Sequence, residues 1–324
     1  MKAITYEKYG PPEVLQLADV EMPVPKSDEI LIQVRAAEAT KGDCEMRSFQ
    51  FAVKWFWLPL RVAMGLLRPK RAILGGYFAG EVVELGRDVT QFKIGERVFG
   101  ATRLRFGAYG EYLALPANYT ITTMPNNMNY TDAAAVPLGG LNALHFMQRA
   151  NIRVEDKVLI NGAGGSIGTH AVQIAKSMGA EVTAVDAARK EHMLRRLGID
   201  HFIDYQTEDF TRTGNCYDVI FDMVAQSSYS ACIRSLKPGG RYLSGNPRLV
   251  VMLRSVLTSW FSDKTASFAF ARESHAELVA LKGLIEAGKI GSIVDSVLPL
   301  EQVVEAHRRV EAEQRVGAIV LAMP

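Results

Sequence analysis

Residues 157-KVLINGAGGSIGTHAVQIAKSMGAEVTAVDA-187 read as strand, glycine-rich turn, helix and strand, with a carboxylate near the far end. Lys157–Asn161 is a short aliphatic run of the kind buried in a parallel sheet. Gly162, Gly164, Gly165 and Gly168 fill the turn and the start of the helix; Ala171, Val172, Ile174, Ala175 and Met178 then recur at helical spacing. In such a unit one glycine permits the tight turn, one lets the backbone approach a pyrophosphate, and one lets helix close on strand. The helix N-terminus offers unpaired N–H groups and a partial positive charge to phosphates. Asp186, 18 residues beyond Gly168, stands where a carboxylate accepts hydrogen bonds from a ribose diol. Gly162, Gly164, Gly165, Ser166 and Ile167 are therefore the expected phosphate-facing backbone of a dinucleotide site.

Around this unit the rhythm of the chain changes. Residues 1–120 hold short alternating segments, among them 30–36, 80–85 and 97–100, punctuated by Pro23, Pro25 and a turn at 93–95: an antiparallel β-rich module. From about residue 130 a helix is predicted over 132–150 with Thr131 as N-cap. Strands at 157–161, 181–185, 201–204, 217–222 and 241–245 follow, alternating with helices as in a parallel doubly wound sheet. The tail predicts helices at 275–287 and 300–314 and a strand at 318–322, returning to pack on the β-rich half.

At 324 residues the chain exceeds one typical core, and 48% hydrophobic with 22% charged residues is the composition of a soluble globular protein. The balance of 37 basic against 35 acidic residues argues against nucleic-acid binding as its main business. MKAITYEKYG has no apolar core behind its lysine, so no signal peptide is expected. No apolar run of about 18 residues exists; the nearest approach, 55–67, is broken by Pro59 and Arg61. Cys44, Cys216 and Cys232 are too dispersed for a disulfide framework or a zinc cluster and fit a reducing compartment, the cytoplasm. The histidines are scattered and read as structural.

Several stretches in register carry a family resemblance: 36-AAEATKGDCEMRS-48, 74-LGGYFAGEVVELGRDVTQFKIGERVFG-100, 107-GAYGEYLALPAN-118, 134-AAVPLGGLNAL-144 and 198-GIDHFIDY-205. Together with the dinucleotide unit, the chain resembles the medium-chain dehydrogenase/reductase superfamily. The resemblance implies an α/β fold: a discontinuous GroES-like β-rich catalytic domain (1–122 and 270–324) and a Rossmann domain with a doubly wound parallel sheet (123–269). Zinc-dependent members of that superfamily place their first ligand cysteine at the position of Thr40 and a ligand histidine at that of Gly76. Neither residue replaces a thiolate or imidazole, so no metal site is expected. What remains is similar to the zinc-free quinone oxidoreductase branch, which implies hydride delivery from NAD(P)H to a quinone or an α,β-unsaturated carbonyl compound. Rival readings are an alcohol dehydrogenase-like oxidoreductase and a non-catalytic nucleotide-binding interaction protein.

Asp186 favours a free ribose 2′-hydroxyl and so NAD(H), whereas Arg189 and Lys190 can hold a 2′-phosphate and the branch leans to NADPH; the cofactor stays NAD(P)(H). The resemblance places Tyr205 near the 2′-phosphoribose and Asn142 near the nicotinamide. Val224, Gly245 and Asn246 follow later strands and line the nicotinamide side. Thr40 sits where many relatives carry Asn beside the nicotinamide. Asp43 either orients that loop or caps a helix starting near Cys44. Tyr77, where relatives are often acidic, is either a core aromatic or a phenol that donates a proton. The aromatic and basic stretch 49-FQFAVKWFWLPLRVAMGLLRPKRAIL-74 is longer than expected for the branch. An interface or core helix ranks first for it, a lid over a small hydrophobic substrate second, and membrane contact last. The apolar 249-LVVMLRSVLTSWF-261 is expected to pair with it. A homodimer follows from the resemblance.

Overall fold

A computed structural model describes residues 1–51, 57–246, 248–268 and 273–324; residues 52–56 of the aromatic insertion lie outside this set. In chain order the first part forms β1 (Lys2–Thr5), β2 (Gln16–Asp19), β3 (Glu29–Ala39), α1 (Lys41–Ser48), α2 (Trp57–Met64), β4 (Tyr77–Leu85), β5 (Arg97–Ala101), β6 (Tyr112–Pro116), β7 (Ile121–Thr123) and α3 (Tyr130–Ala134). The middle forms α4 (Val136–Ala150), β8 (Lys157–Asn161), α5 (Ser166–Ser177), β9 (Glu181–Asp186), α6 (Glu191–Arg196), β10 (His201–Asp204), β11 (Tyr217–Asp222), α7 (Tyr229–Arg234), β12 (Leu236–Ser244), α8 (Leu249–Phe261) and β13 (Thr265–Phe268). The tail forms α9 (His275–Glu286), β14 (Val294–Pro299), α10 (Val303–Glu311) and β15 (Ala318–Ala322).

The chain divides into two compact units, one built from Met1–Phe51, Leu58–Leu138 and Glu273–Pro324, the other running through Gly139–Arg272. In the first, the strand order among the described residues is β14–β15–β3–β4–β5–β7, with β6 also paired to β3. The tail closes this sheet: β15 pairs antiparallel with β3, Ile319 opposite Ala39. The second unit carries the all-parallel order β10–β9–β8–β11–β12–β13. Its central strands bury Leu159, Ile160, Val182, Ala184, Ile220 and Phe221 completely, which is why their sequences read as continuous apolar runs. From β8 the chain winds outward to β10, then crosses back to β11 on the other side of β8. The topological switch point, where α/β sheets of this kind bind ligands, therefore lies at the C-terminal ends of β8 and β11.

Two local readings are corrected. The single helix predicted over 132–150 is split into α3 and α4 at Ala135. Pro137 lacks an N–H and suits a first turn, so α4 starts afresh at Val136. The N-cap is Asn129, whose side-chain oxygen accepts the Asp132 N–H at 2.8 Å; Thr131, the expected cap, instead donates to Asn129 at 2.7 Å. The turn expected at 237–240 lies within β12, where the pairing with β11 shifts register between Tyr217 and Val219.

A buried polar chain runs through the first unit. Arg47 is almost fully buried and donates to the Gly10 carbonyl, to His307 Nδ1 at 3.2 Å and to the Glu311 carboxylate. A guanidinium only donates, so His307 Nδ1 must accept, and Nε2 carries the ring proton. Nε2 then donates to Tyr109 Oη at 3.2 Å, and the Tyr109 hydroxyl donates to Asp43. Burial, reinforced by the Arg47 charge, pushes the His307 pKa down to about 3.

An unfolded histidine titrates near pH 6.5, so unfolding takes up a proton as the pH falls below that value. Stability should therefore decline from about pH 6.5 downward, by about 1.4 kcal/mol per pH unit for this one group. His307→Gln keeps an acceptor for Arg47 and a donor for Tyr109 without titrating. Chemical denaturation at pH 7 and pH 5 should show a smaller acid loss in the variant than in the wild type; equal losses would clear His307 of the effect.

Candidate functional site

The second unit builds a phosphate cradle from β8, the turn and α5. Gly162 takes φ +85°, the left-handed region that lets the chain reverse off β8 at little steric cost. Gly168 sits where a Cβ would lie 2.3 Å from the Gly162 carbonyl oxygen and 2.5 Å from that of Ala163, so only glycine lets α5 close on the turn. Gly165 is the N-cap, which leaves the N–H groups of Ser166, Ile167 and Gly168 in the first, unpaired turn of α5. Among the described residues the Ser166 hydroxyl is buried with no hydrogen-bond partner. A buried polar atom without a partner at a helix N-terminus fits an anionic ligand, and a dinucleotide pyrophosphate matches that cradle. The helix is pinned from behind by His170, whose Nδ1 lies 2.8 Å from the Ser166 carbonyl oxygen.

Asp186 ends β9 beside this turn and is buried. Its Oδ2 accepts the Gly164 N–H at 2.7 Å; its Oδ1 accepts the Ala187 N–H at 2.8 Å and lies 3.0 Å from Lys190 Nζ. The carboxylate is thus held from three directions and its charge is paired internally. Lys190 is buried with it, whereas Arg189 is exposed on the same short turn. Tyr205 is exposed, and its N–H reaches the Asp186 carbonyl at 3.3 Å, which keeps it on the Asp186–Lys190 side.

At the switch point a second carboxylate gathers the loops. Asp222 ends β11; its Oδ1 accepts from Asn161 Nδ2, the Val224 N–H and Ser227 Oγ, each at 3.0 Å, and its Oδ2 from Tyr242 Oη at 2.8 Å. Burial raises its carboxyl pKa against the pull of these donors. Asn246 Nδ2 donates to the Met223 carbonyl at 2.8 Å and the Gly245 N–H donates to the Asp222 carbonyl, so Val224, Gly245 and Asn246 stand together at these strand ends. Asn142 lies on α4, half-buried.

In the first unit Thr40 and Asp43 form a capping box on α1. Thr40 Oγ1 accepts the Asp43 N–H at 3.0 Å and donates to Asp43 Oδ2 at 2.5 Å; Asp43 Oδ2 also takes the Thr40 N–H. Asp43 Oδ1 accepts the Gly75 N–H at 3.0 Å. Asp43 therefore ties the end of β3, the start of α1 and the turn before β4, while its wholly buried carboxyl is pushed up in pKa by desolvation. Tyr77, the first residue of β4, donates to Glu273 Oε1 at 3.2 Å. Burial drives the phenol pKa well up, with Glu273, Glu38 and Asp43 adding to it, and burial also raises the Glu273 carboxyl. The Glu273 backbone is anchored by Thr120 Oγ1, which donates to its carbonyl at 2.6 Å.

Sequence reading did not find Glu273, which meets Tyr77 across 196 residues of chain, nor the hub role of Asp222, hinted at only by the acid closing 217-YDVIFD-222. Nor did it pair Asp186 with Lys190, although the two stand four residues apart. Cys44 is buried with Sγ 3.4 Å from His307 Nδ1, and desolvation pushes its thiol well up. Among the described residues no group of three or more His, Cys, Asp or Glu side chains is placed to hold a metal ion.

Comparison with known proteins places this geometry among relatives. Residues 26–126 match the family profile "Alcohol dehydrogenase GroES-like domain" and 197–321 that of "Zinc-binding dehydrogenase". The chain is 30% identical over 322 residues to a quinone oxidoreductase of Sus scrofa, covering 95% of this chain and 93% of the relative. It is 28% identical over 334 residues to a 2-methylene-furan-3-one reductase of Solanum lycopersicum, covering 99% and 79%. The structure of the quinone oxidoreductase from Coxiella burnetii superposes with a TM-score of 0.88 at 28% identity, covering 100% of this chain and 99% of that one.

Gly168→Ala tests the cradle. The added methyl must push α5 off the turn, and the Kd for NADPH and NADH measured by calorimetric titration should rise by about tenfold or more, the equivalent of roughly 1.4 kcal/mol. Unchanged affinity for both would remove the cradle from cofactor binding.

Proposed function

The chain belongs to the quinone oxidoreductase branch of the medium-chain dehydrogenase/reductase superfamily, and on that premise we propose an NAD(P)H-dependent, zinc-independent reductase of quinones or α,β-unsaturated carbonyl compounds. What carries the reading is the phosphate cradle with its unpartnered Ser166 hydroxyl, in a chain whose positions 40 and 76 are Thr and Gly. When bound, the reduced nicotinamide supplies hydride to an electron-poor carbon of the acceptor, chemistry that needs no Lewis acid when the acceptor is already polarised.

The protein's own groups then have separable tasks. The first turn of α5 holds the pyrophosphate. Lys190 neutralises Asp186 and makes the ribose end tolerant of a 2′-phosphate, with Arg189 and Tyr205 beside it. The Asp222 hub holds the strand ends that carry Val224, Gly245 and Asn246. Thr40 and Asp43, bound to each other, position the loop after β3 rather than exchanging protons. Tyr77 is the proton donor for an enolate carbon: its hydroxyl, which rests on Glu273 Oε1, turns to the substrate, and Glu273, kept protonated to higher pH by burial, then donates to Tyr77 Oη as the phenolic proton leaves and is itself reprotonated from water. On this reading 1–122 with 270–324 carries the catalytic groups, 123–269 carries the cofactor, and the enzyme is a cytoplasmic homodimer.

The test is oxidation of NADPH and NADH by the purified protein against quinones, enones and simple ketones, with zinc chelated. Turnover of quinones or enones supports the proposal. Turnover of alcohols or simple ketones alone would favour the alcohol dehydrogenase-like reading, and cofactor binding without turnover the non-catalytic one.

Tyr77→Phe should lower kcat for an enone by about 10²-fold while leaving quinone reduction within a few-fold, because quinol oxygens take protons rapidly from water. Enone turnover in the wild type should fall as the pH rises through the raised Glu273 pKa. An equal effect of Tyr77→Phe on both acceptors would remove Tyr77 as donor to carbon.

Lys190→Ala leaves the Asp186 charge uncompensated. It should weaken NADPH binding by about 10- to 100-fold, the range for a lost charged hydrogen bond, and NADH binding far less. Equal losses would show that Lys190 does not discriminate the phosphate.

A further inference from the structure

Beneath the phosphate cradle lies a set of hydrogen bonds that the helix ladder does not require. His170 is buried, and its Nδ1 lies 2.8 Å from the Ser166 carbonyl oxygen, one turn earlier on α5. A carbonyl only accepts, so Nδ1 carries the ring proton. Burial lowers the pKa of the ring, which leaves Nε2 as a bare lone pair. Among the described residues Nε2 is buried without a hydrogen-bond partner, so the Nδ1 bond is what the polarity of the ring contributes here. Thr169, fully buried, donates from Oγ1 to the same carbonyl at 3.1 Å. That oxygen is also the ladder acceptor for the His170 backbone N–H, so three donors converge on it.

The consequence lies on the other side of the same peptide group. The Ser166 C=O and the Ile167 N–H belong to one planar trans unit and point in opposite directions. Holding the carbonyl down the helix axis therefore aims the Ile167 N–H out of the first turn, where α5 leaves its donors unpaired. Hydrogen bonds to a carbonyl polarise the amide, which makes its N–H a stronger donor. Gly139 of α4 covers the arrangement: a Cβ there would lie 2.4 Å from the Ser166 oxygen and 2.5 Å from His170 Nδ1. The α4 backbone thus leaves no room for water to compete for the bond. Gly162 and Gly168 shape the cradle, and the side chains of Thr169 and His170 set where one of its donors points.

We propose that His170 and Thr169 are positioning residues for the cofactor pyrophosphate, holding the Ser166–Ile167 peptide so that the Ile167 N–H is aimed at a phosphate oxygen. The inference rests on the dinucleotide reading of the cradle given above. The same helix supplies a control. Gln173 Nε2 donates to the Thr169 carbonyl at 3.0 Å, four residues back, so a glutamine side chain has the reach that His170 uses. His170→Gln keeps a donor for the Ser166 carbonyl, whereas His170→Leu removes it.

Calorimetric titration of the full chain with NADPH and with NADH tests it. His170→Leu should raise both Kd values by the same factor, about five- to tenfold, the range for one lost neutral hydrogen bond. His170→Gln should return both to within about twofold of the wild type. Thr169→Val removes the second donor at nearly constant shape; it should raise both values by about two- to fivefold, and it reads the same effect should the leucine variant not fold. Phosphorus NMR of bound NADPH gives the signature that general loosening of the helix would not: the pyrophosphate resonances should shift in His170→Leu and the 2′-phosphate resonance should not. Unchanged affinity in both His170→Leu and Thr169→Val, a loss that His170→Gln does not restore, or a shift confined to the 2′-phosphate would overturn the inference and leave the cradle reading standing. A wild-type protein that binds neither dinucleotide would overturn both.

Discussion

A carboxylate taken out of water must have its lone pairs filled, and three such groups organise both units. Asp43 draws in the end of β3, the first turn of α1 and the turn before β4. Asp222 draws in β8, β12 and the loop after β11. Asp186 draws in the glycine turn and Lys190. An unfilled buried acceptor costs about 1–3 kcal/mol, more for a charge, so each set of loops is bound to one arrangement. Thr40, Lys190 and Val224 bind these three groups directly, placed where strands end and the backbone's own pairing stops.

The first unit shows the same constraint working inward. Arg47 brings a permanent cation into the core and needs acceptors there. His307 supplies one only as a neutral ring with its proton on Nε2, which sets the direction of the hydrogen bond to Tyr109 and from Tyr109 to Asp43. A polar chain thus links α10 to the loop carrying Thr40. The thiol nearest the chain, Cys44, is packed against His307 and held protonated by burial.

The second unit shows what the cradle requires. Backbone N–H groups point at one place only if the helix comes close to the turn, and the 2.3 Å that a Cβ at Gly168 would leave to the Gly162 oxygen measures how close. The same economy of space sets α5 against α4, where a Cβ at Gly139 would lie 2.4 Å from the Ser166 carbonyl oxygen.

Patterns that repeat along the chain were legible without coordinates. The apolar runs of β8, β9 and β11, the glycine turn and the acid after β9 are local, because a parallel strand buried on both faces and a phosphate-binding turn each impose their chemistry on consecutive residues. The break between α3 and α4 was missed although Pro137 marks it, and the cap lies on Asn129 rather than Thr131 because its side chain takes the Asp132 N–H. Pairings across the chain were decided by the tertiary structure alone. Tyr77 is given a partner in Glu273 by the tail that returns beside β4 and β7, and Arg47 is given His307 and Glu311 by α10. The way α8 faces was equally out of reach, since periodicity shows only that a helix has an apolar stripe, while packing buries Val251 and leaves Leu253 and Trp260 exposed.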